Sequence, residues 1–126
     1  MAGYVDPEDQ LVTALYVRDM GEAVSFFAGL GFALVRDEGT FVELRWDNSP
    51  LFLVEMEAAA SPPPRRVGDL RIMVPNVDHY WELARRQGLN IVRPIENRGY
   101  GLRDFIISGP AGLAIRFATR LSDLKQ

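Results

Sequence analysis

Two stretches of this chain follow the same grammar at the same spacing, and that duplication narrows the possible folds more than any other feature of the sequence. In the first, LVTALYVRDM alternates at period two, with Val12, Ala14 and Tyr16 on one face and Leu11, Thr13, Leu15 and Val17 on the other, as a strand requires. Asp19 follows as a helix N-cap, with Glu22 three residues on in the capping-box position. Met20, Ala23, Val24, Phe27 and Leu30 then share one helical stripe, which Gly31 brings to an end. In the second stretch DLRIMV alternates from Asp69 and Asn76 stands at the cap. Val77, Tyr80, Trp81 and Ala84 make the stripe, and Gly88 is the stop. Cap to glycine spans 31 − 19 = 12 positions in one copy and 88 − 76 = 12 in the other, so strand, cap, helix and stop recur as one unit.

Three short strands are expected after each helix: Phe32 to Asp37, Thr40 to Trp46 and Leu51 to Met56, then Ile91 to Ile95, Arg103 to Ser108 and Leu113 to Ala118. The turns between them, DEG, DNSP and SGPAG, hold residues that adopt tight or left-handed backbone at low cost. Each half is therefore a βαβββ module, and the fold class is α+β. Module 1 covers about 10–58 and module 2 about 68–120. The proline-rich stretch between them, 59–67, reads as an extended, semi-rigid linker that would suit an exchange of modules between two chains. At 126 residues and 48% hydrophobic composition, one domain built from the two modules is the expected unit.

The residues the chain lacks exclude much chemistry. It has no cysteine and a single histidine, His79, so thiolate nucleophiles, thiolate metal sites, serine–histidine pairs and two-histidine iron sites have little to build from. A net charge of −3 leaves no basic surplus for nucleic acid. The opening MAGYVDPEDQ does not read as a signal peptide and no later stretch reads as a membrane span, so a cytoplasmic protein is expected.

The stretches LYVRDMGEAVSFFAGLGF and YGLRDFIISGPAGLAIRF resemble the vicinal oxygen chelate superfamily of glyoxalases, extradiol dioxygenases and bleomycin-resistance proteins, and the second is closest to the bleomycin-resistance branch. The resemblance runs from Leu11 to Ala118. It implies that each module curls its sheet into a half-barrel with the helix outside and the ligand inside. Members that use a metal take one ligand from the first and one from the last strand of each module. Carried over by position, these places are Val12, Phe52, Asp69 and Arg116, of which only Asp69 suits a cation, so no metal and no other cofactor are expected. A shift of register would exchange Phe52 for Glu55, but Glu55 shares the face of Leu51 and Leu53, opposite to Phe52, Val54 and Met56.

The inward faces then gather Tyr16, Phe41, Glu43, Phe52, Val54, Met56, Asp69, Arg71, Asp104 and Arg116, with Tyr100 at the rim. Phe41, Phe52 and Tyr100 suit stacking on a flat ring, and Glu43, Asp69 or Asp104 suit a cationic or hydrogen-bonding arm. Each has a plainer reading: the phenylalanines as barrel filling, and Asp69 with Arg116 as a structural ion pair. The resemblance implies a homodimer that sequesters an aromatic, antibiotic-type molecule without a metal. The alternative is a glyoxalase- or isomerase-like enzyme with Asp69, Glu43 or Asp104 as base and Arg116 or Arg71 stabilising developing charge.

Overall fold

In a computed structural model, residues 11–56 and 68–124 are described; the expected linker, 59–67, lies outside them. The chain divides into two compact units, one on either side of the bond between Ser61 and Pro62.

In the first unit β1 (Thr13–Val17) leads into α1 (Met20–Leu30), followed by β2 (Ala33–Asp37), β3 (Phe41–Trp46) and β4 (Ser49–Glu55). The sheet order is β1-β4-β3-β2. The crossover through α1 brings β2 back parallel to β1, and the two antiparallel steps β2–β3 and β3–β4 then leave β4 parallel to β1, its neighbour. Period-two alternation sorts the sheet into two faces. Val42, Leu44, Leu51 and Leu53 are buried with Met20, Ala23, Phe27 and Leu30 of α1, each large side chain contributing about 1.5–3 kcal/mol on leaving water. Phe27, Phe32 and Trp46 continue this core as edge-to-face pairs at 5.3 and 5.2 Å. Gly31 ends α1 at φ +125°, and a Cβ there would meet the Trp46 ring at 3.3 Å, so both backbone and packing call for glycine.

The second unit repeats the order with β5 (Asp69–Met73), α2 (Val77–Arg86), β6 (Ile91–Asn97), β7 (Leu102–Ser108) and β8 (Ala114–Arg120), in the sheet order β5-β8-β7-β6. Its core is aromatic. Tyr80 of α2 stacks on Phe117 at 4.9 Å, Phe117 on Phe105 at 5.5 Å, and Trp81 meets Phe105 edge-on at 5.2 Å. Trp46 and Trp81 are thus packing residues, and His79 lies exposed on the outside of α2.

Three local expectations are revised. Asn76 occupies the N-cap position of α2 but makes no side-chain cap bond; the Val77 N–H instead donates to Thr119 Oγ1 at 2.9 Å, and that hydroxyl donates to the Val74 carbonyl at 2.7 Å. β6 runs two residues past the expected end at Ile95, to Asn97, and carries Pro94 because an edge strand with two irregularities in its pairing does not need the missing N–H. β4 begins at Ser49 rather than Leu51, since Asp47 takes φ +52° and closes the turn early. Among the described residues no helix is long and apolar enough to cross a membrane.

Candidate functional site

The register of the two sheets decides which residues of the modules are equivalent. Thr13 lies six residues before the cap of α1 and pairs with Leu51; Leu70 lies six before the cap of α2 and pairs with Ile115. Counting one further along each last strand, Phe52 and Arg116 are counterparts, and so are Glu55 and Thr119. The hydrogen bonds agree. Glu55 Oε2 accepts from the Met20 N–H at 3.1 Å, as Thr119 accepts from the equivalent Val77 N–H. Glu55 is therefore a helix cap on the outer face of its sheet, and Phe52 stands at the inner-face position.

On the inner face of module 1, Phe52 pairs in register with Ala14 on one side and Glu43 on the other, and Val54 with Tyr16 and Phe41. Phe41 and Phe52 meet edge-to-face at 5.0 Å, and the Arg36 guanidinium sits over the Phe41 ring at 5.1 Å. Phe52 is only 5% exposed, which makes it filling beneath Phe41 rather than a platform. Tyr16 and Met56 are the exposed apolar groups of this face. Glu43 lies between two cations, Arg45 Nε at 3.1 Å and Arg36 Nη2 at 3.4 Å.

On the inner face of module 2, charge is organised as a chain. Arg71 Nε donates to Asp69 Oδ1 at 2.9 Å, and Arg116 donates to Asp69 Oδ2 through Nε at 3.2 Å and Nη2 at 3.1 Å. The Arg116 Nη1 donates to Asp104 Oδ2 at 2.6 Å and to the Tyr100 hydroxyl at 3.0 Å, and that hydroxyl donates to Asp104 Oδ2 at 2.8 Å. Arg98 closes the other side, donating to Asp104 Oδ1 at 2.9 Å and to Glu96 at 2.8 Å. Asp104 is completely buried. Its burial pushes the carboxyl pKa up, but the hydrogen bonds from Arg98, Tyr100 and Arg116 outweigh this and hold it below the ordinary carboxylate range. Burial of Arg116 disfavours its charge, and its bonds to Asp104, Asp69 and Tyr100 reverse that effect, so it stays protonated.

The candidate residues therefore fall into two groups, Tyr16, Phe41, Glu43, Phe52, Val54 and Met56 on one inner face and Asp69, Arg71, Tyr100, Asp104 and Arg116 on the other. Asp69 and Arg116 do form the ion pair that their places on neighbouring strands suggested. The carboxylates expected to take a cationic arm, Glu43, Asp69 and Asp104, are all engaged by arginines. Sequence reasoning missed Arg98, Arg36 and Arg45, the partners that engage them. Arg45 lies two residues from Glu43 on the same strand face, a spacing that signals such a pair. Arg98 reaches Asp104 from a turn whose geometry the residue pattern does not fix.

A metal does not fit the places where relatives with this architecture hold one. Val12 and Phe52 offer no donor atom, Arg116 is a cation, and both oxygens of Asp69 already accept from guanidiniums. Among the described residues no three His, Cys, Asp or Glu side chains are gathered to hold an ion.

Two βαβββ modules, each a curved four-stranded sheet with one helix, define the class of protein to which this α+β chain belongs. The model of the Glyoxalase/Bleomycin resistance protein/Dioxygenase superfamily matches residues 10–117, and the chain belongs to that superfamily. Among solved structures it is similar to a glyoxalase/bleomycin resistance protein/dioxygenase from Alicyclobacillus acidocaldarius, with TM-score 0.77 and 20% identity over 94% of this chain and 96% of that one. It is also similar to a bleomycin resistance determinant encoded on the transposon Tn5, with TM-score 0.73 and 18% identity over 89% and 98%. The fosfomycin resistance protein FosX from Listeria monocytogenes gives TM-score 0.74 and 14% identity over 90% and 94%. No curated protein matches the chain in sequence.

Proposed function

We propose that this protein is a cytoplasmic homodimer that sequesters an aromatic small molecule, of the kind represented by antibiotics, and releases it unaltered. One observation carries the reading: the inner faces expose Tyr16, Met56 and Tyr100 while their carboxylates are bound into ion pairs. An exposed ring gains about 0.5–1.5 kcal/mol per aromatic pair beyond area burial, which favours a flat ligand. A general base works best with a pKa near the operating pH, and Asp104, buried and held below the carboxylate range, is far from that condition. Resistance to bleomycin and to fosfomycin among proteins of the same fold is consistent with a protective role.

The test is a titration of intrinsic fluorescence against bleomycin-like, mitomycin-like and quinoxaline-type compounds, with the ligand recovered and analysed afterwards. Saturable binding with unchanged ligand is expected from a dimer by light scattering. Turnover of any member, abolished by Asp69→Asn with little change in affinity, would instead establish a glyoxalase- or isomerase-like enzyme.

A further inference from the structure

Among the described residues, the charged network of module 2 has donors to spare and no acceptor to match them. Asp69 spends both oxygens on arginines, and so does Asp104, which has no exposed surface. Glu96, the third acid, accepts from Arg98 and points outward, with 71% of its side chain exposed. Arg71 differs: among the described residues its one bond is made through Nε to Asp69, which leaves its two terminal amino groups unspent on a side chain that is 54% exposed. Arg71 pairs in register with Arg116, which places it on the inner face. From the opposite edge strand Arg93, in register with Ile106, reaches the same group through a 3.5 Å contact to the Tyr100 hydroxyl. Arg71, Arg93, Arg98 and Arg116 stand against Asp69, Glu96 and Asp104, four cations to three anions, on a chain whose net charge is −3.

We infer that the aromatic ligand is an acid, and that Arg71 takes its carboxylate in a two-pronged contact while the ring lies toward Tyr100. The inference rests on the aromatic-capture reading above. A planar guanidinium held at Nε presents parallel N–H groups at the spacing of a carboxylate's two oxygens. A cationic ligand would meet no uncompensated carboxylate on this face and would be repelled by the surplus guanidinium. The charge preference is thus the reverse of the one that Glu43, Asp69 and Asp104 suggest when the sequence is read alone.

Three probes of one ring system test this by calorimetry on the native protein: naphthoate, naphthamide and naphthylmethylammonium. Naphthoate is expected to bind about tenfold to a hundredfold more tightly than the amide, with the ammonium weakest, and its affinity alone should fall as salt rises. Arg71→Gln should erase the preference for acid over amide, Arg71→Lys should keep part of it, and Arg86→Gln, on the outer helix, should keep all of it. Equal binding of acid and amide to the native protein, or a preference that survives Arg71→Gln, overturns the inference while aromatic capture stands. Binding of none of the three overturns both.

Discussion

Replacing Arg116 by methionine removes the centre of the module 2 network while keeping an unbranched side chain of similar reach. The guanidinium is nearly buried and makes contacts to two carboxylates and a hydroxyl, the shortest at 2.6 Å to an Asp104 that has no exposed surface. Breaking a buried pair by removing one partner costs about 3–5 kcal/mol, because the remaining charge stays out of water uncompensated. Asp104 keeps Arg98 at 2.9 Å and Tyr100 at 2.8 Å, which places the loss at the lower end, about 3 kcal/mol. For a domain of this size that is a large share of the total stability of roughly 5–15 kcal/mol and a fall in Tm of about 10 °C. The pH dependence gives a second signature. Asp104 has a folded pKa below its ordinary value of 3.8, so it contributes stability that is present above 3.8 and lost as pH falls through the lower folded value. In Arg116→Met the folded pKa rises toward 3.8 and this acid-side loss shrinks. Urea unfolding at neutral pH and at steps below pH 4 measures both, and adding Asp104→Asn to Arg116→Met should recover about 1–2 kcal/mol. A loss under about 1 kcal/mol with an unchanged acid slope would show that the network is not the buried unit described here.

Other perturbations separate helix anchoring from ligand contact. Thr119→Ala should lower stability by about 1–2 kcal/mol in urea unfolding, since it orphans the Val77 N–H, whereas Glu55→Gln, which keeps an acceptor for Met20, should cost less than about 1 kcal/mol. Gly31→Ala should cost at least about 1 kcal/mol, because it combines φ +125° with a 3.3 Å approach to Trp46. Tyr16→Ala should leave the unfolding midpoint nearly unchanged and weaken aromatic ligands about two- to tenfold in the fluorescence titration, whereas Phe52→Ala should cost about 3–5 kcal/mol of stability.

The architecture was legible because its determinants are local and repeated. Alternation, an N-cap and a glycine stop recur at one spacing, and a duplicated βαβββ unit leaves few ways to bury the outward stripes of Phe27 and Tyr80. The Phe52 position was legible by parity alone, since Glu55 on the Leu53 face belongs to α1. The charge state of the site was legible only in part: neighbouring strands suggested the Asp69–Arg116 pair, whereas Asp104 and Glu43 were read as free acids, and the paths of Arg98 from a turn and of Arg36 across a neighbouring strand show that they are compensated. Asn76 was misleading for a related reason: a cap residue fits the pattern, yet it is the hydroxyl of Thr119, 119 − 77 = 42 positions after Val77, that accepts from the first amide of the helix.

The central claim is that Val12, Phe52 and Arg116 fill the positions from which the resemblance would take metal ligands, so that these faces hold no ion. Elemental analysis tests it most directly, on protein expressed with added zinc, manganese, nickel and iron and then dialysed against metal-free buffer. The account predicts well under about 0.1 equivalent of any of the four per chain, and about one equivalent of a single metal retained per chain would contradict it.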